Sequence, residues 1–100
     1  SPRIREHSMD KLESDQIEAR MESLPEWTLS GDNLQRTMGF TDFEAAMAFV
    51  NTVATAARKA QHHPDILIRY SKVTLTLSTH DAGGLTDRDF EMAQTIDALV

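Results

Sequence analysis

No cysteine occurs anywhere in the 100 residues. That single absence removes disulfides, thiolate zinc sites and cysteine nucleophiles together, and it is compatible with a reducing cytoplasm. Basic residues are in deficit: ten Lys and Arg stand against sixteen Asp and Glu, a net charge of -6. With no basic excess to displace counterions, a nucleic-acid backbone is not the expected partner. Long apolar runs are missing too. The longest, "AAMAFVNTVATAA", is interrupted by Asn51 and Thr52 and is too short to span a bilayer. The chain opens without a continuous apolar segment, so no signal peptide is expected. No repeat or low-complexity tract is present. What remains, 40% hydrophobic residues and 26% charged ones, describes one compact soluble domain. A domain this small without covalent staples has marginal stability, which makes self-association a natural expectation.

The first eight residues, "SPRIREHS", carry no periodicity. They read as an appended remnant or a disordered arm, with Met9 as the native start and residues 9–100 as the domain, and His7 is set aside with them. Beyond them, Ser14 precedes a helical face of Ile17, Met21 and Leu24, which Pro25 ends. Gly31-Asp32-Asn33 is a turn between two extended runs. Thr41 and Glu44 have capping-box spacing. After them Phe43, Ala46, Met47, Val50, Val53, Ala54 and Ala57 form one apolar helical stripe. Val73, Leu75 and Leu77 alternate with Thr74, Thr76 and Ser78, the mark of a strand with one buried face. Ser71-Lys72 is the expected turn joining it to Ile66–Tyr70. Thr86 caps a last helix, with Asp89 three residues on, and Phe90, Ala93, Ile96 and Val100 form its inner face beside Leu99. The order α-β-β-α-β-β-α predicts an α+β fold: a four-stranded, mainly antiparallel sheet with helices packed on one face.

Histidine chemistry is concentrated. His62 and His63 follow the long helix, and His80 follows the last strand. A hairpin between those strands brings residues near 64 beside residues near 79, so all three imidazoles converge on one rim of the sheet. Histidine ordinarily titrates near ~6.5. Two imidazoles facing one substrate can therefore act as acid and base, each worth about 10²–10⁴-fold when well placed. Asp65 or Asp81 could fix a tautomer, and Gly83-Gly84 lets backbone approach a flat ligand. Plainer readings stand beside this one. The His62-His63 pair alone is an ordinary complement to a helix C-terminus. Three histidines also suggest a metal site, although adjacent residues in an extended segment point apart and no i, i+4 pair exists. The threonine run is ordinary strand chemistry, Asp87-Arg88-Asp89 a charged first helical turn, Met21, Met38, Met47 and Met92 core filler, and Trp27 a core anchor. The convergence of His80 with the pair tips the balance toward a site.

The stretch "HHPDILIRYSKVTLTLSTHDAGGLTDRD" resembles the signature of the pterin-4a-carbinolamine dehydratases. The matching elements are His62-His63-Pro64, Tyr70 before the turn, Ser78-Thr79-His80, and Gly84-Leu85-Thr86-Asp87-Arg88-Asp89. The likeness runs upstream through "FTDFEAAMAFV" and Trp27 and covers the chain from about residue 12. It implies an enzyme that removes water from 4a-hydroxytetrahydropterin to give quinonoid dihydropterin, in recycling the pterin of aromatic amino-acid hydroxylases. It implies no metal and no organic cofactor. His62 and His80 would be the acid/base pair, and His63 would orient the substrate or share in proton transfer. Backbone around Ser78 and Thr79 would hold the pterin's amide edge, with Asp81, Arg88 and Asp89 bordering the site. Arg58 stands where family members commonly carry glutamate, four residues before His62, and is taken as a further substrate-binding candidate. The resemblance also implies a cytoplasmic homodimer or homotetramer. Its alternative is a non-enzymatic pterin-binding or dimerisation module, since animal members partner a homeodomain transcription factor.

Overall fold

A computed structural model of the chain describes residues 11–100, apart from the His80 side chain. The reading of "SPRIREHS" as a remnant and of Met9 as the start lies outside these residues. The elements follow the expected order: α1 (Ser14–Met21), β1 (Thr28–Ser30), β2 (Asn33–Gly39), α2 (Phe43–Ala60), β3 (Asp65–Arg69), β4 (Lys72–Leu77), a 3₁₀ turn (His80–Ala82) and α3 (Asp87–Leu99). The four strands form one antiparallel sheet in the order β1-β2-β4-β3.

Alternation puts Leu34 and Met38 of β2 and Val73, Leu75 and Leu77 of β4 on the covered face, all buried. Against them pack Ala46, Phe49, Val53 and Ala57 of α2, and Phe90, Ala93 and Ile96 of α3. Trp27, Met38 and Met92 sit in the same core, and Met21 packs against its edge. Among the described residues no helix is long and apolar enough to cross a membrane.

Several boundaries differ from expectation, each for a physical reason. The N-cap of α2 is Asp42 rather than Thr41; its Oδ1 accepts from the Ala45 N–H at 2.8 Å, and aspartate outranks threonine as a cap. Helix α1 begins at Ser14 behind Glu13, whose N–H donates to Gln16 Oε1 at 2.8 Å. It ends at Met21, short of Pro25, and the turn after it swings Leu24 into the core. The β1–β2 turn is Gly31-Asp32, with Gly31 at φ +59°, and Asn33 pairs with Ser30 inside the ladder. In the second hairpin Arg69 pairs with Lys72, so the turn is Tyr70-Ser71. The half-buried Ile66 and Ile68, paired with the buried Leu75 and Val73, set that register; a slip of one residue would turn both isoleucines to solvent. Phe43 at the start of α2 and Leu99 and Val100 at the chain end are exposed, so they do not belong to the inner stripes, while Phe49, which the stripe omitted, does.

The register places Tyr70 at φ +53°, the left-handed region that costs a non-glycine residue about 1–2 kcal/mol. Its ring is exposed, so little packing is lost on truncation. Tyr70→Gly is therefore expected to raise stability by ~0.5–1 kcal/mol in urea unfolding, after the greater backbone freedom of glycine in the unfolded chain is offset. A destabilised variant would mean that the ring holds the hairpin.

Candidate active site

Because β3 and β4 pair with Asp65 opposite Thr76, the segment entering β3 lies beside the segment leaving β4. Each is locked by its own backbone. Helix α2 ends in a Schellman motif: Gln61 is left-handed (φ 54°, ψ 40°), its N–H donates to Arg58 O at 3.3 Å, and the His62 N–H donates to Ala57 O at 3.2 Å. From α3, Arg88 Nη2 donates to the carbonyls of Gln61 (2.6 Å) and Ala60 (3.2 Å), binding carbonyls that the helix leaves without partners. Across the gap, Thr79 and Gly84 bridge. The Thr79 N–H donates to Gly84 O at 3.1 Å, and Thr79 O receives the N–H groups of Ala82, Gly83 and Gly84. Gly83 adopts φ +77° there, a conformation that favours glycine.

The N-terminus of α3 closes the arrangement. Thr86 and Asp89 form a capping box in which the Thr86 N–H donates to Asp89 Oδ2 at 2.9 Å. The other oxygen of the same carboxylate does something a cap does not require: Asp89 Oδ1 lies 2.5 Å from His62 Nε2. The Thr79 hydroxyl donates to Oδ2 at 2.8 Å. Asp89 is fully buried and the His62 side chain is 10% exposed. A carboxylate in such a place is tolerable only when its oxygens are satisfied; here three groups do so, and the positive end of α3 adds to them.

In front of this pair opens a recess of about 280 Å³ lined by Gln61, His62, His63, Ser78, Thr79, Asp81 and Arg88. The fold thus gathers His62, His63, Ser78, Thr79, Asp81 and Arg88 as the sequence suggested, with Asp89 directly behind. His63 and Asp81 are exposed at the rim and Ser78 is half-buried. The His80 backbone begins the 3₁₀ turn immediately after Thr79; the His80 side chain lies outside the described residues. Arg58 is not brought in. It is exposed on α2, where its Nη2 donates to Thr55 Oγ1 at 3.4 Å, and it does not line the recess. The Thr79 N–H, one of the groups expected to hold a ligand's amide edge, is committed to Gly84.

Three features escaped the sequence. Gln61 lines the recess, and only its place at the helix end could have signalled this. Arg88 spends donors on the end of α2. Thr86, read as a cap alone, also lies 2.7 Å from Thr79 through its hydroxyl; the capping-box pattern located the residue without revealing that second contact. Chemically, the arrangement presents one imidazole fixed on a buried carboxylate and a second, exposed one beside it, with an arginine at the wall. Such groups can give and take protons at a bound ligand.

These features define an α+β domain whose ionisable side chains meet where the β3–β4 hairpin closes against the start of α3. The family model described as pterin 4 alpha carbinolamine dehydratase matches residues 10–99. A protein of Acidobacterium capsulatum named "Putative pterin-4-alpha-carbinolamine dehydratase" is 55% identical over 92 residues, covering 92% of this chain and 100% of the relative. One of the same name from Nocardia farcinica is 53% identical over 88 residues, covering 88% of this chain and 93% of its own. Among solved structures, a transcriptional coactivator/pterin dehydratase from Brucella melitensis superposes with a TM-score of 0.85 at 30% identity, over 90% of this chain and 98% of that one. A pterin dehydratase-like protein described as a RuBisCO assembly factor of the alpha-carboxysome shares the fold, with a TM-score of 0.60 at 22% identity, over 73% of this chain and 84% of that one. The chain belongs to the pterin-4-alpha-carbinolamine dehydratase family.

Proposed function

We propose that this protein removes water from 4a-hydroxytetrahydropterin and returns quinonoid dihydropterin, serving the pterin cycle of aromatic amino-acid hydroxylases in the cytoplasm as a homodimer or homotetramer. The observation that carries the reading is the His62 Nε2–Asp89 Oδ1 contact of 2.5 Å at the wall of a recess of about 280 Å³. The reaction needs two proton movements. The leaving 4a-oxygen gains a proton as its bond to carbon breaks and departs as water. A pterin ring nitrogen loses one, and its electrons form the new double bond. His62 and His80 are the acid/base pair in this scheme. Asp89 holds the imidazole of His62 in orientation, His63 orients the substrate from the rim, and Ser78 and Asp81 border the pterin.

Stopped-flow turnover of freshly generated 4a-hydroxytetrahydropterin tests it. The parent is expected to accelerate dehydration, and His80→Ala to lower kcat by about 10²–10⁴-fold with the fold intact. Chelator treatment is expected to leave the rate unchanged; loss of turnover on metal removal would favour the three-histidine metal site instead. The name of the Brucella relative, which couples coactivator to dehydratase, favours one second reading, a pterin-binding or dimerisation module without catalysis. A parent chain that binds pterin or self-associates but never turns over would select that reading.

A further inference from the structure

Two buried hydroxyls stand behind Asp89, and the scheme above gives neither a task. Thr79 is 5% exposed and Thr86 fully buried. A hydroxyl has one proton to donate. That of Thr79 goes to Asp89 Oδ2 at 2.8 Å, so the 2.7 Å contact between the two hydroxyls is filled by the proton of Thr86. Thr86 Oγ1 in turn accepts from the Arg88 backbone N–H at 3.3 Å. The chain of donors therefore runs one way, from the first turn of α3 through Thr86 and Thr79 to the carboxylate. With the Thr86 N–H also on it, Oδ2 holds two donors. A carboxylate only accepts. Its Oδ1, 2.5 Å from His62 Nε2, is satisfied there only by an N–H.

We infer that the Thr86–Thr79 hydroxyl chain is a positioning device that fixes His62 as its Nε2–H tautomer, leaving Nδ1 as the ring nitrogen that exchanges a proton with the substrate. Thr79 then serves the site through its side chain, acting on His62 by way of Asp89. The role of Nδ1 in exchange rests on the dehydratase reading; the tautomer does not. The hydroxyl is the operative group, since valine has the shape of threonine without it.

Nitrogen-15 NMR of the imidazoles, taken where the rings are neutral, reads the tautomer directly. In the parent, His62 Nε2 is expected to be pyrrole-like and Nδ1 pyridine-like. Thr79→Val should raise the share of the Nδ1–H form and lower kcat about tenfold, the loss that ~1.4 kcal/mol of misplaced stabilisation gives, with KM nearly unchanged; Thr79→Ser should restore both. A parent ring protonated on Nδ1, or a folded valine variant with tautomer and kcat unaltered, overturns the inference. Should the valine variant fail to fold, the parent spectrum alone decides. A parent showing Nε2–H without any turnover would sink the dehydratase reading and leave the tautomer assignment standing; turnover from an Nδ1–H ring would do the reverse.

Discussion

Asp89→Asn is expected to cut dehydration kcat by about 10²–10⁴-fold while leaving a folded protein. The substitution changes almost no volume but alters which atoms can donate. Oδ2 now receives the Thr79 hydroxyl and the Thr86 N–H. In the variant the amide oxygen must take that place, because an NH₂ group there would face two donors. The amide nitrogen is then left toward His62 Nε2, which lies 2.5 Å from the native oxygen. A donor in that position compels Nε2 to accept, so the ring proton moves to Nδ1 and the nitrogen meant for exchange is blocked. The capping contact at the start of α3 survives through the amide oxygen, so circular dichroism and urea midpoints should show a modest loss of stability. Asp89→Ala is the contrasting case. It removes the Asp89 half of the capping box and strands the Thr79 hydroxyl, the Thr86 N–H and the His62 Nε2–H, and its activity loss would come mixed with unfolding. A stopped-flow kcat for Asp89→Asn within a factor of a few of the parent would remove Asp89 from the machinery.

The same residue shows how far the sequence could be read. Thr86-x-x-Asp89 is visible as a cap because capping is local and its spacing fixed. That one oxygen caps while the other reaches 27 residues back to His62 depends on how α2 ends and how α3 docks. Neither depends on the spacing of apolar residues. The convergence of 62–63 with 78–81 was readable because only a tight turn separates the strand after Pro64 from β4, and two strands so joined pair antiparallel. The turn was misplaced by one residue because glycine, asparagine and proline are absent from it; a tyrosine in the left-handed region is dictated by the register of the isoleucines. Arg58 shows the same division between position and contact. Family resemblance supplied its position, whereas its contact with Thr55 follows from the helix face it occupies. Fold class followed from periodicity, and the candidate residues followed from topology and resemblance. Their bonding did not.

A second large effect is expected far from the recess, at Asp97. The alternation of β2 puts Arg36 on the covered face between Leu34 and Met38, opposite the buried Leu75. A guanidinium among such neighbours is costly unless it is paired. Its partner comes from the last turns of α3: Arg36 Nη1 lies 2.5 Å from Asp97 Oδ1, and the indole N–H of Trp27 donates to that same oxygen at 2.8 Å. The Arg36 and Asp97 side chains are 15% and 28% exposed, and Trp27 is 3% exposed. One carboxylate oxygen therefore ties the C-terminal helix to β2 and to the chain entering β1. Asp97→Ala strands a largely buried cation and a buried indole N–H at once, which should cost about 2–3 kcal/mol. In a domain of this size that lowers Tm by roughly 10 °C or more. Asp97→Asn keeps one acceptor for either donor and should lose about half as much. Urea unfolding with an unchanged m-value would assign the loss to the folded state. Dehydration kcat should move little in the folded fraction, because Asp97 lies outside the recess and its shell. An alanine variant as stable as the parent would mean that Arg36 and Trp27 find other partners, and that the docking of α3, and with it the placement of Asp89 behind His62, rests on apolar packing alone.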